Sequence, residues 1–268
     1  MPIQREFLEW RKPALAGAVE FLRGRFERDG ALDLSGVIVV VPGARAGRRL
    51  LEIVVALADE RKLVLTPPDV VTPNQFPERL YQPKLRFADP LVQQLAWVRA
   101  LKSLSAERLS PLAPHLPPAH DALQWLAIGE TLGRLHLELA ADGLDCQEVL
   151  RGADAVEGFA EHDRWKVLCE LQRAYLDTLD RLKLWDVQTA RLVAIKQREI
   201  ATDKSIVLVG MADLNQAQRR MIDQIAERVT ALIFAPQELA DRFDEHGCQP
   251  PVQGAGAIER AREQKRAS

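Results

Sequence analysis

The chain has 268 residues, 47% hydrophobic and 28% charged, with a formal net charge of -2 at pH 7. These values are those of an ordinary globular protein and exclude a strongly basic nucleic-acid binder, although local basic patches are compatible with them. The first ten residues have no apolar core of signal-peptide length, and no later segment has the length and hydropathy of a membrane span. Three widely spaced cysteines match neither a disulfide framework nor a metal site. The sequence therefore predicts a cytoplasmic protein without membrane contact, metal or cofactor.

The N-terminal third contains one conspicuous strand-turn-helix pattern. Residues 4–29 look helical, with Pro13 in the first turn of a fresh helix. Residues 37–41, VIVVV, predict a strand buried on both faces of a parallel sheet. A turn from Pro42 to Gly47 and an amphipathic helix to about residue 60 come next. Such a frame is typical of a phosphate-binding loop, where backbone N–H groups hold an anion.

The residues that a phosphate-binding loop requires are missing from this frame. Gly43 and Gly47 are separated by three residues instead of four, and Arg48 and Arg49 follow where the motif has Lys and then Ser or Thr. Without the hydroxyl there is no ordinary Mg²⁺ ligand. The sequence therefore predicts neither tight ATP binding nor ATP hydrolysis.

The rest of the chain divides into a helical block and a return to strands. Short strands are predicted at 63–65 and 69–71, and Thr72 with Gln75 fits a capping box. Helices are predicted at 89–104, 119–141, 145–152, 160–183 and 187–200, without a strand pattern among them. Strands follow at 205–210 and 229–234. The helix between them is predicted to begin with a capping box, in which Asp213 is the N-cap residue and Gln216 is its partner. A last helix is predicted over 236–246.

Three stretches resemble a known family: VIVVVPGARAGRRLLEIV, VVTPNQFPERLY and IVLVGMADLNQAQRRMIDQIAERVTALIFAP. In this order, with a helical block between the second and third, they resemble the first motor domain of UvrD-type helicases. They resemble in particular the AddB/RexB family, nuclease-helicase subunits whose helicase-like half has lost its ATPase motifs. The stretches look like a degenerate first motif, the Thr-x-x-x-Phe segment, and the Walker B strand with its helix. ADRFDEHG resembles a later stretch of the same family.

The third stretch shows what the resemblance implies for catalysis. Working helicases carry Asp-Glu-x-x-Asp-x-Asn-x-x-Gln there. In this chain Asp213, Asn215 and Gln218 fit the later positions, whereas Val209 and Gly210 replace the Asp-Glu pair. The resemblance therefore implies an inactivated helicase. Its degenerate motif positions are Gly43, Gly47, Thr72, Val209, Gly210, Asp213, Asn215 and Gln218.

Pattern and resemblance together predict an α/β fold, P-loop NTPase-like, with a mainly parallel sheet and a large all-helical insertion. Residues 1–87 and 201–248 are expected to form the degenerate helicase-like core, and residues 88–200 the inserted helical subdomain. Residues 249–268 have no core pattern and are predicted to be a tail or truncated linker.

The resemblance implies a non-catalytic scaffold and DNA-path element in a recombination-repair complex, an exonuclease subunit acting with a helicase-nuclease partner. This chain alone is expected to bind single-stranded or duplex-end DNA weakly. The candidate phosphate or DNA contacts are Arg45, Arg48, Arg49, Asn74, Gln75 and Arg79. The arginines equally fit a solvated helix start, and capping alone explains Thr72 and Asp213. Two other hypotheses stay open: an enzyme, nuclease or nucleotide-binding, whose active site lies in missing sequence, and a stand-alone protein-interaction domain.

Histidines and tryptophans are assigned no function. All five histidines are predicted to lie at the surface. The five tryptophans, Trp10, Trp97, Trp125, Trp165 and Trp185, are predicted to pack in the core. The core of the helical block is expected to contain Trp125, Leu126, Leu132, Leu135 and Trp165.

Overall fold

The computed structural model describes residues 2–249 except 11, 114, 154, 155 and 157. Apart from Gln249, the predicted tail lies outside the described residues. The described chain forms two compact units. The α/β unit contains the chain up to Arg79, Ala201–Leu214, and the chain from Ile222 onward; the helical unit contains Leu80–Ile200 and Asn215–Met221. The first boundary thus lies earlier than the predicted one, and Asn215–Met221 groups with the helices and not with the α/β core.

Both units contain helices and strands, although in different proportions. The first part of the chain contains β1 (Gln4–Phe7), α1 (Ala14–Phe26), β2 (Glu27–Arg28), β3 (Ala31–Asp33), β4 (Val37–Val40), α2 (Ala44–Arg61), β5 (Val64–Thr66) and β6 (Asp69–Val71). The helical block contains β7 (Arg86–Phe87), α3 (Pro90–Lys102), α4 (Ala106–Leu109), α5 (Ala122–Ala141), α6 (Cys146–Ala153), α7 (His162–Arg181), β8 (Leu184–Trp185) and α8 (Val187–Lys196). The last part contains β9 (Ser205–Val209), α9 (Gln216–Asp223) and β10 (Val229–Ile233). Short 3-10 segments lie at Pro77–Arg79, Ala226–Arg228 and Gln237–Arg242, the last of them within the predicted helix 236–246.

The central sheet of the α/β unit has five strands in the order β1-β10-β9-β4-β6, and every pair is parallel. The prediction of a mainly parallel sheet is therefore confirmed, with β4, β6, β9 and β10 close to the predicted positions. The helix predicted from residue 4 is wrong at its start, because Gln4–Phe7 pairs with Thr230–Ile233 of β10. Because all five strands run in the same direction, their carboxyl ends lie along one edge.

A smaller sheet, β2-β3-β5, lies in the same unit. Its antiparallel pair β2-β3 is joined by Asp29 and Gly30, with φ of 49° and 79°. Positive φ at both central residues is the signature of a two-residue hairpin turn, which Asp-Gly favours. Asp29-Gly30 therefore forms a hairpin and does not end a helix, as the sequence had suggested.

The α/β core follows the period-two pattern of the strands. Val37, Val39 and Val41 are buried in one cluster with Val207 and Val209, and residues of α1 and α2 pack on them. Alternating residues of a strand point to opposite faces, so this cluster occupies one face of the sheet. The apolar faces of both helices are thereby removed from water, which is the main stabilising contribution of such packing.

The helical unit has its own core, built mainly by α3, α5 and α7. Trp125 and Leu132 are buried there as predicted, and Leu135 and Trp165 pack against it partly buried. Leu126 is only half-buried and lies outside this cluster. No described helix combines the length and apolar character needed to cross a membrane.

One feature of the helical unit contradicts the expectation that no strand lies between 88 and 200. β7 and β8 form a parallel ribbon in which Arg86 pairs with Leu184 and Phe87 with Trp185. Nearby, the Lys84 ammonium lies 2.6 Å from the Glu199 carboxylate. A two-residue strand has too few residues for a period-two pattern, so only its pairing partner defines it. We call this ribbon with the Lys84–Glu199 ion pair the clasp.

Candidate nucleic-acid interface

The turn after β4 is shorter than the predicted turn from Pro42 to Gly47. α2 begins at Ala44, with Gly43 as its N-cap. Gly47 lies inside the helix and is buried, and a Cβ atom there would be 3.0 Å from a methyl group of Val70. Gly47 therefore allows the helix to approach the sheet closely, and it is not part of an anion-binding turn.

The three arginines at the start of α2 are exposed but differ in their partners. Arg49 forms an ion pair with Glu52, with 2.7 Å between Nη1 and Oε2. Arg45 and Arg48 have no hydrogen-bond or ion-pair partner in the described part of the chain. Gly43 supplies no side-chain cap to the helix. Arg45 and Arg48 thus remain available to a phosphate, and the N-terminal end of the helix dipole acts in the same direction.

The segment after β6 offers fewer free groups than predicted. Asn74 is exposed, as expected for a contact residue. The Gln75 side-chain oxygen accepts hydrogen bonds from the Thr72 backbone N–H and hydroxyl, both at 3.2 Å. Arg79 donates from Nε to the Asp69 carboxylate at 2.8 Å. Only half of the predicted capping box forms, because the Gln75 N–H donates to the Thr72 backbone oxygen and not to its hydroxyl, and a turn follows instead of an α-helix. Arg79 forms an ion pair with Asp69.

Trp10 is a surface residue and not the core residue predicted. Its side chain is 68% exposed, on the loop between β1 and α1. The indole N–H donates to the backbone oxygen of Phe234 at 2.6 Å, just beyond the end of β10. The ring is thereby held at the carboxyl edge of the sheet with most of its surface in solvent. The neighbouring Trp-Arg-Lys-Pro sequence is polar, which was the signal for a surface position.

β9 ends at Val209 and is followed by Gly210, the two positions that the resemblance aligned with an Asp-Glu pair. Val209 is buried, and Gly210 has φ of 58°, in the left-handed region. A Cβ atom at Gly210 would lie 2.9 Å from two ring carbons of Phe234. Glycine is therefore required here for both backbone conformation and space. A cavity of about 200 Å³ lies at the ends of β9 and β10, bordered by Met211, Phe234 and Phe243 among others.

The capping box of α9 lies two residues later than predicted. The Asn215 side chain accepts from the Gln218 backbone N–H at 2.9 Å, and the Gln218 side chain accepts from the Asn215 N–H at 3.1 Å. Asp213 instead accepts from its neighbour Leu214. Two of the positions that fit the helicase motif, Asn215 and Gln218, thus have a local structural role.

Replacing Asn215 by alanine should lower the free energy of unfolding by about 1 kcal/mol, because one N-terminal N–H of α9 loses its acceptor. Gln216→Ala is the matched control. Gln216 is exposed and was the predicted box partner, so its replacement should change stability by no more than about 0.5 kcal/mol. Urea unfolding of the two variants measures the difference. A larger loss for Gln216→Ala would restore the predicted box.

His136 is buried and not at the surface, and it forms the centre of a polar network in the helical unit. His136 Nε2 lies 2.8 Å from the Asp186 carboxylate, and Gln172 Nε2 lies 3.0 Å from His136 Nδ1. The backbone N–H of Cys146 donates to Gln172 Oε1 at 3.1 Å. Because this bond fixes the Gln172 amide, its NH₂ group faces His136 Nδ1, which must accept. His136 therefore donates from Nε2 to the Asp186 carboxylate.

Asp186 is satisfied on both oxygens. Besides His136, it accepts from the Tyr175 hydroxyl at 3.1 Å and from the Thr189 backbone N–H at 2.7 Å, as the N-cap of α8. Burial alone would raise the pKa of Asp186, but the hydrogen bonds from His136 and Thr189 outweigh it and hold this pKa below its ordinary value. Burial, with Asp186 beside it, raises the pKa of Tyr175. These groups stabilise the helical unit, and His136, Gln172 and Thr189 border a cavity of about 110 Å³.

His246 is the second buried histidine, with Nε2 2.7 Å from the Asp223 carboxylate. His115 and His120 are exposed, and His162 is half-buried. The surface prediction is therefore wrong for His136 and His246. Within the described residues, no three His, Cys, Asp or Glu side chains are grouped to hold a metal ion.

Comparison with known proteins adds no assignment. Neither the family models nor the curated proteins contain a match to this chain. The resemblance to AddB/RexB proteins therefore stays a hypothesis that rests on the three sequence stretches and their order.

Proposed function

We propose that the α/β unit is a non-catalytic, helicase-like domain that guides single-stranded DNA across the carboxyl edge of its sheet. In this proposal the chain is a scaffold and DNA-path element of a recombination-repair nuclease-helicase complex, acting with a helicase-nuclease partner subunit. A five-stranded parallel sheet with helices after its strands is compatible with the P-loop NTPase-like arrangement that the proposal includes.

The observation that carries the proposal is Trp10. Trp10 is 68% exposed, and the hydrogen bond from its indole N–H to Phe234 fixes its position. Its exposed ring is therefore preorganised for stacking against a base. Bases of any sequence stack on aromatic side chains, and each stack contributes about 1–3 kcal/mol. A single strand unpaired from its complement offers such bases.

Arg45 and Arg48 supply the second element of such a path. They follow β4, whereas Trp10 follows β1, and the two strands are separated by β10 and β9 in the sheet. With strands about 4.8 Å apart, the two sites are roughly 14 Å apart along the edge. A short single strand could therefore stack on Trp10 and place phosphates near both arginines.

The absence of motor chemistry supports a non-catalytic role. A motor site needs a Lys for the β- and γ-phosphates, a hydroxyl for Mg²⁺, and carboxylates on the Walker B strand. Arg48, Arg49, Val209 and Gly210 stand at those positions in the resemblance. A side chain at Gly210 would lie 2.9 Å from the Phe234 ring with the backbone at φ of 58°, so the end of β9 disfavours a carboxylate side chain at this position.

Trp10→Ala should weaken binding of a fluorescein-labelled twelve-residue oligothymidylate by roughly 5- to 150-fold, the equivalent of one lost stack. The parent chain should bind with Kd of about 10⁻⁴–10⁻⁶ M, more weakly as salt rises. The Arg45→Ala, Arg48→Ala double variant should reduce the slope of log K against log salt by about 1.4, or about 0.7 for each phosphate contact. Fluorescence anisotropy at two or more salt concentrations measures both effects.

Three variants serve as controls. Trp10→Phe keeps an aromatic face and should retain most of the affinity. Arg49→Ala and Arg79→Ala remove arginines that Glu52 and Asp69 already occupy, so they should have little effect. If the parent chain binds the oligonucleotide tightly, and neither Trp10→Ala nor the arginine variants change the Kd, the DNA binds at another surface. No binding at low salt would contradict the DNA path.

A further inference from the structure

The parallel ribbon of the clasp has an unpaired edge along β7. In a strand, the backbone N–H groups of successive residues point to opposite sides. The N–H of Ala88 donates to the backbone oxygen of Trp185 at 2.8 Å, so the N–H and C=O of Phe87 point away from β8. Within the described residues, β7 pairs with β8 alone, and these two groups of Phe87 have no hydrogen-bond partner. The ribbon therefore ends at a strand edge that offers one donor and one acceptor.

The residues beside this edge are exposed to solvent. Lys84 and Arg86 are both exposed, and Leu85 between them is 39% exposed. An exposed, unpaired strand edge is a template on which a segment of another chain can add as a further strand. A ribbon of only two strands also gains stability from a third. The β7 edge is therefore a surface on which an extended segment can bind.

The charge around the edge is positive. Arg86 and Lys183 are exposed, and neither has an ion-pair partner among the described residues. Lys183 directly precedes β8 and so lies in the same part of the ribbon as Arg86. Glu199 is already paired with Lys84, and Asp180, in the last turn of α7, offsets at most one of the two free cations. An acidic segment is therefore the occupant whose charge complements this edge.

The side chains of β7 and its neighbours alternate between the two faces of the ribbon. Leu85 and Phe87 lie on one face, and Lys84 and Arg86 lie on the other. A strand added beside β7 alternates with the same period, so one set of its side chains contacts the apolar residues and the other set approaches Arg86. Cross-strand pairs of apolar residues and of opposite charges both stabilise a sheet. The edge thus favours a segment in which apolar and acidic residues alternate.

A nucleic acid fits this edge less well than a peptide does. Its phosphates would use the positive charge of Arg86 and Lys183, but it has no strand backbone that pairs with Phe87. Exposed leucines also accompany the cations, because Leu182 is 55% exposed and directly precedes Lys183. Free backbone groups, apolar side chains and cations together match the three kinds of group that an acidic, partly apolar strand presents.

We propose that the β7 edge of the clasp binds an extended segment of a partner protein in which acidic and apolar residues alternate. The segment adds as a third strand and exchanges backbone hydrogen bonds with Phe87. Its apolar side chains pack on Leu85 and Phe87, and its acidic side chains pair with Arg86. The clasp lies wholly within the helical unit, whereas the proposed DNA contacts lie in the α/β unit. The two proposals can therefore fail separately.

A labelled eight-residue peptide of alternating glutamate and valine tests the proposal by fluorescence anisotropy with the full chain. Arg86→Glu replaces the free cation by an anion at an exposed position, so it should weaken binding about fivefold. A second peptide carries the same residues as four glutamates followed by four valines. It keeps the charge but does not match the two faces of the ribbon, and it should bind about fivefold more weakly than the alternating peptide.

Methylation of the peptide nitrogens tests the strand pairing directly. One form of the alternating peptide is methylated on the valine nitrogens and another on the glutamate nitrogens, so each form loses the N–H groups of one edge. Only one edge of the added strand faces β7, so one form should bind about fivefold more weakly than the other. Equal binding of the two methylated forms would overturn the addition of a strand.

Arg173→Glu is the matched control for Arg86→Glu. Arg173 is exposed on α7, about two turns before the end of that helix, and its replacement makes the same change in net charge. This variant should leave the affinity for the alternating peptide unchanged, and so should Trp10→Ala. An equal loss of affinity in Arg173→Glu would overturn the proposal, as would no binding at chain concentrations up to about 1 mM. Displacement of the peptide by unlabelled oligothymidylate would overturn it in favour of nucleic acid at the clasp.

Discussion

Replacing Asp186 by alanine should lower the free energy of unfolding of the helical unit by about 3–5 kcal/mol. The carboxylate is 1% exposed and accepts from His136, from the Tyr175 hydroxyl and from the Thr189 backbone N–H. Without it, the buried His136 loses its carboxylate partner, the Tyr175 hydroxyl keeps only the longer contact of 3.4 Å to Gln93 Oε1, and α8 loses its cap. Urea unfolding followed by tryptophan fluorescence measures the effect, because four of the five tryptophans lie in the helical unit.

The same residue gives the stability of this unit a defined pH dependence. The pKa of Asp186 is lowered from its ordinary value of 3.8, so the folded unit binds this proton more weakly than the unfolded chain does. Its stabilising contribution is therefore complete above about pH 4 and is lost as the pH falls through the lowered pKa. Asp186→Asn should remove this part of the acid dependence. Asp177→Ala, an exposed aspartate on α7, is the control and should change stability by no more than about 0.5 kcal/mol.

Replacing Gly210 by glutamate should destabilise the α/β unit by about 2–5 kcal/mol. A side chain in the left-handed region costs roughly 1–2 kcal/mol, and overpacking against Phe234 adds roughly 1–3 kcal/mol. The substitution introduces a carboxylate at the position that the proposed helicase-like function aligns with a Walker B acid, so it also tests whether the end of β9 can hold one. We expect a lower melting temperature by circular dichroism and no gain of ATP hydrolysis.

Gly24→Glu is the matched control for Gly210→Glu. Gly24 lies exposed in α1, and a Cβ atom there would have no neighbour within 4 Å. Glutamate forms helix better than glycine, so this variant should be as stable as the parent or slightly more so. If Gly210→Glu and Gly24→Glu have the same melting temperature, Phe234 moves aside at little cost in free energy, and the end of β9 can hold a carboxylate.

The sequence predicted those parts of the fold that are encoded by local pattern. The β-branched runs of β4, β9 and β10 identified buried parallel strands, because such strands are apolar on both faces. Most of the helices were also visible in local sequence. β1 was not, because Gln4–Phe7 is mostly polar and becomes a strand only by pairing with β10, at the other end of the chain. Its sequence alone carries no period that distinguishes it from a helix start.

The candidate site was predictable only in part. The exposed positions of Arg45 and Arg48 followed from the amphipathic pattern of α2, but the partners of Arg49 and Arg79 depend on side-chain geometry. Trp10 was assigned to the core because it was interpreted as part of a helix at core spacing, whereas its polar neighbours indicated the surface. The His136–Asp186 pair could not be foreseen, because the two residues belong to different helices and the hydrogen bond exists only after these have packed.

The clasp has a consequence for the order in which the chain acquires its structure. β6 and β9 flank β4 in the central sheet, yet residues 80–200 separate them along the chain. Closing a long flexible loop is entropically unfavourable, and each halving of its effective length lowers this cost by about 0.6 kcal/mol. Once Arg86–Phe87 has paired with Leu184–Trp185, the helices between them no longer contribute to the effective length of the flexible loop between β6 and β9. The helical unit, rich in local contacts, should therefore fold first and accelerate pairing of β9 with β4.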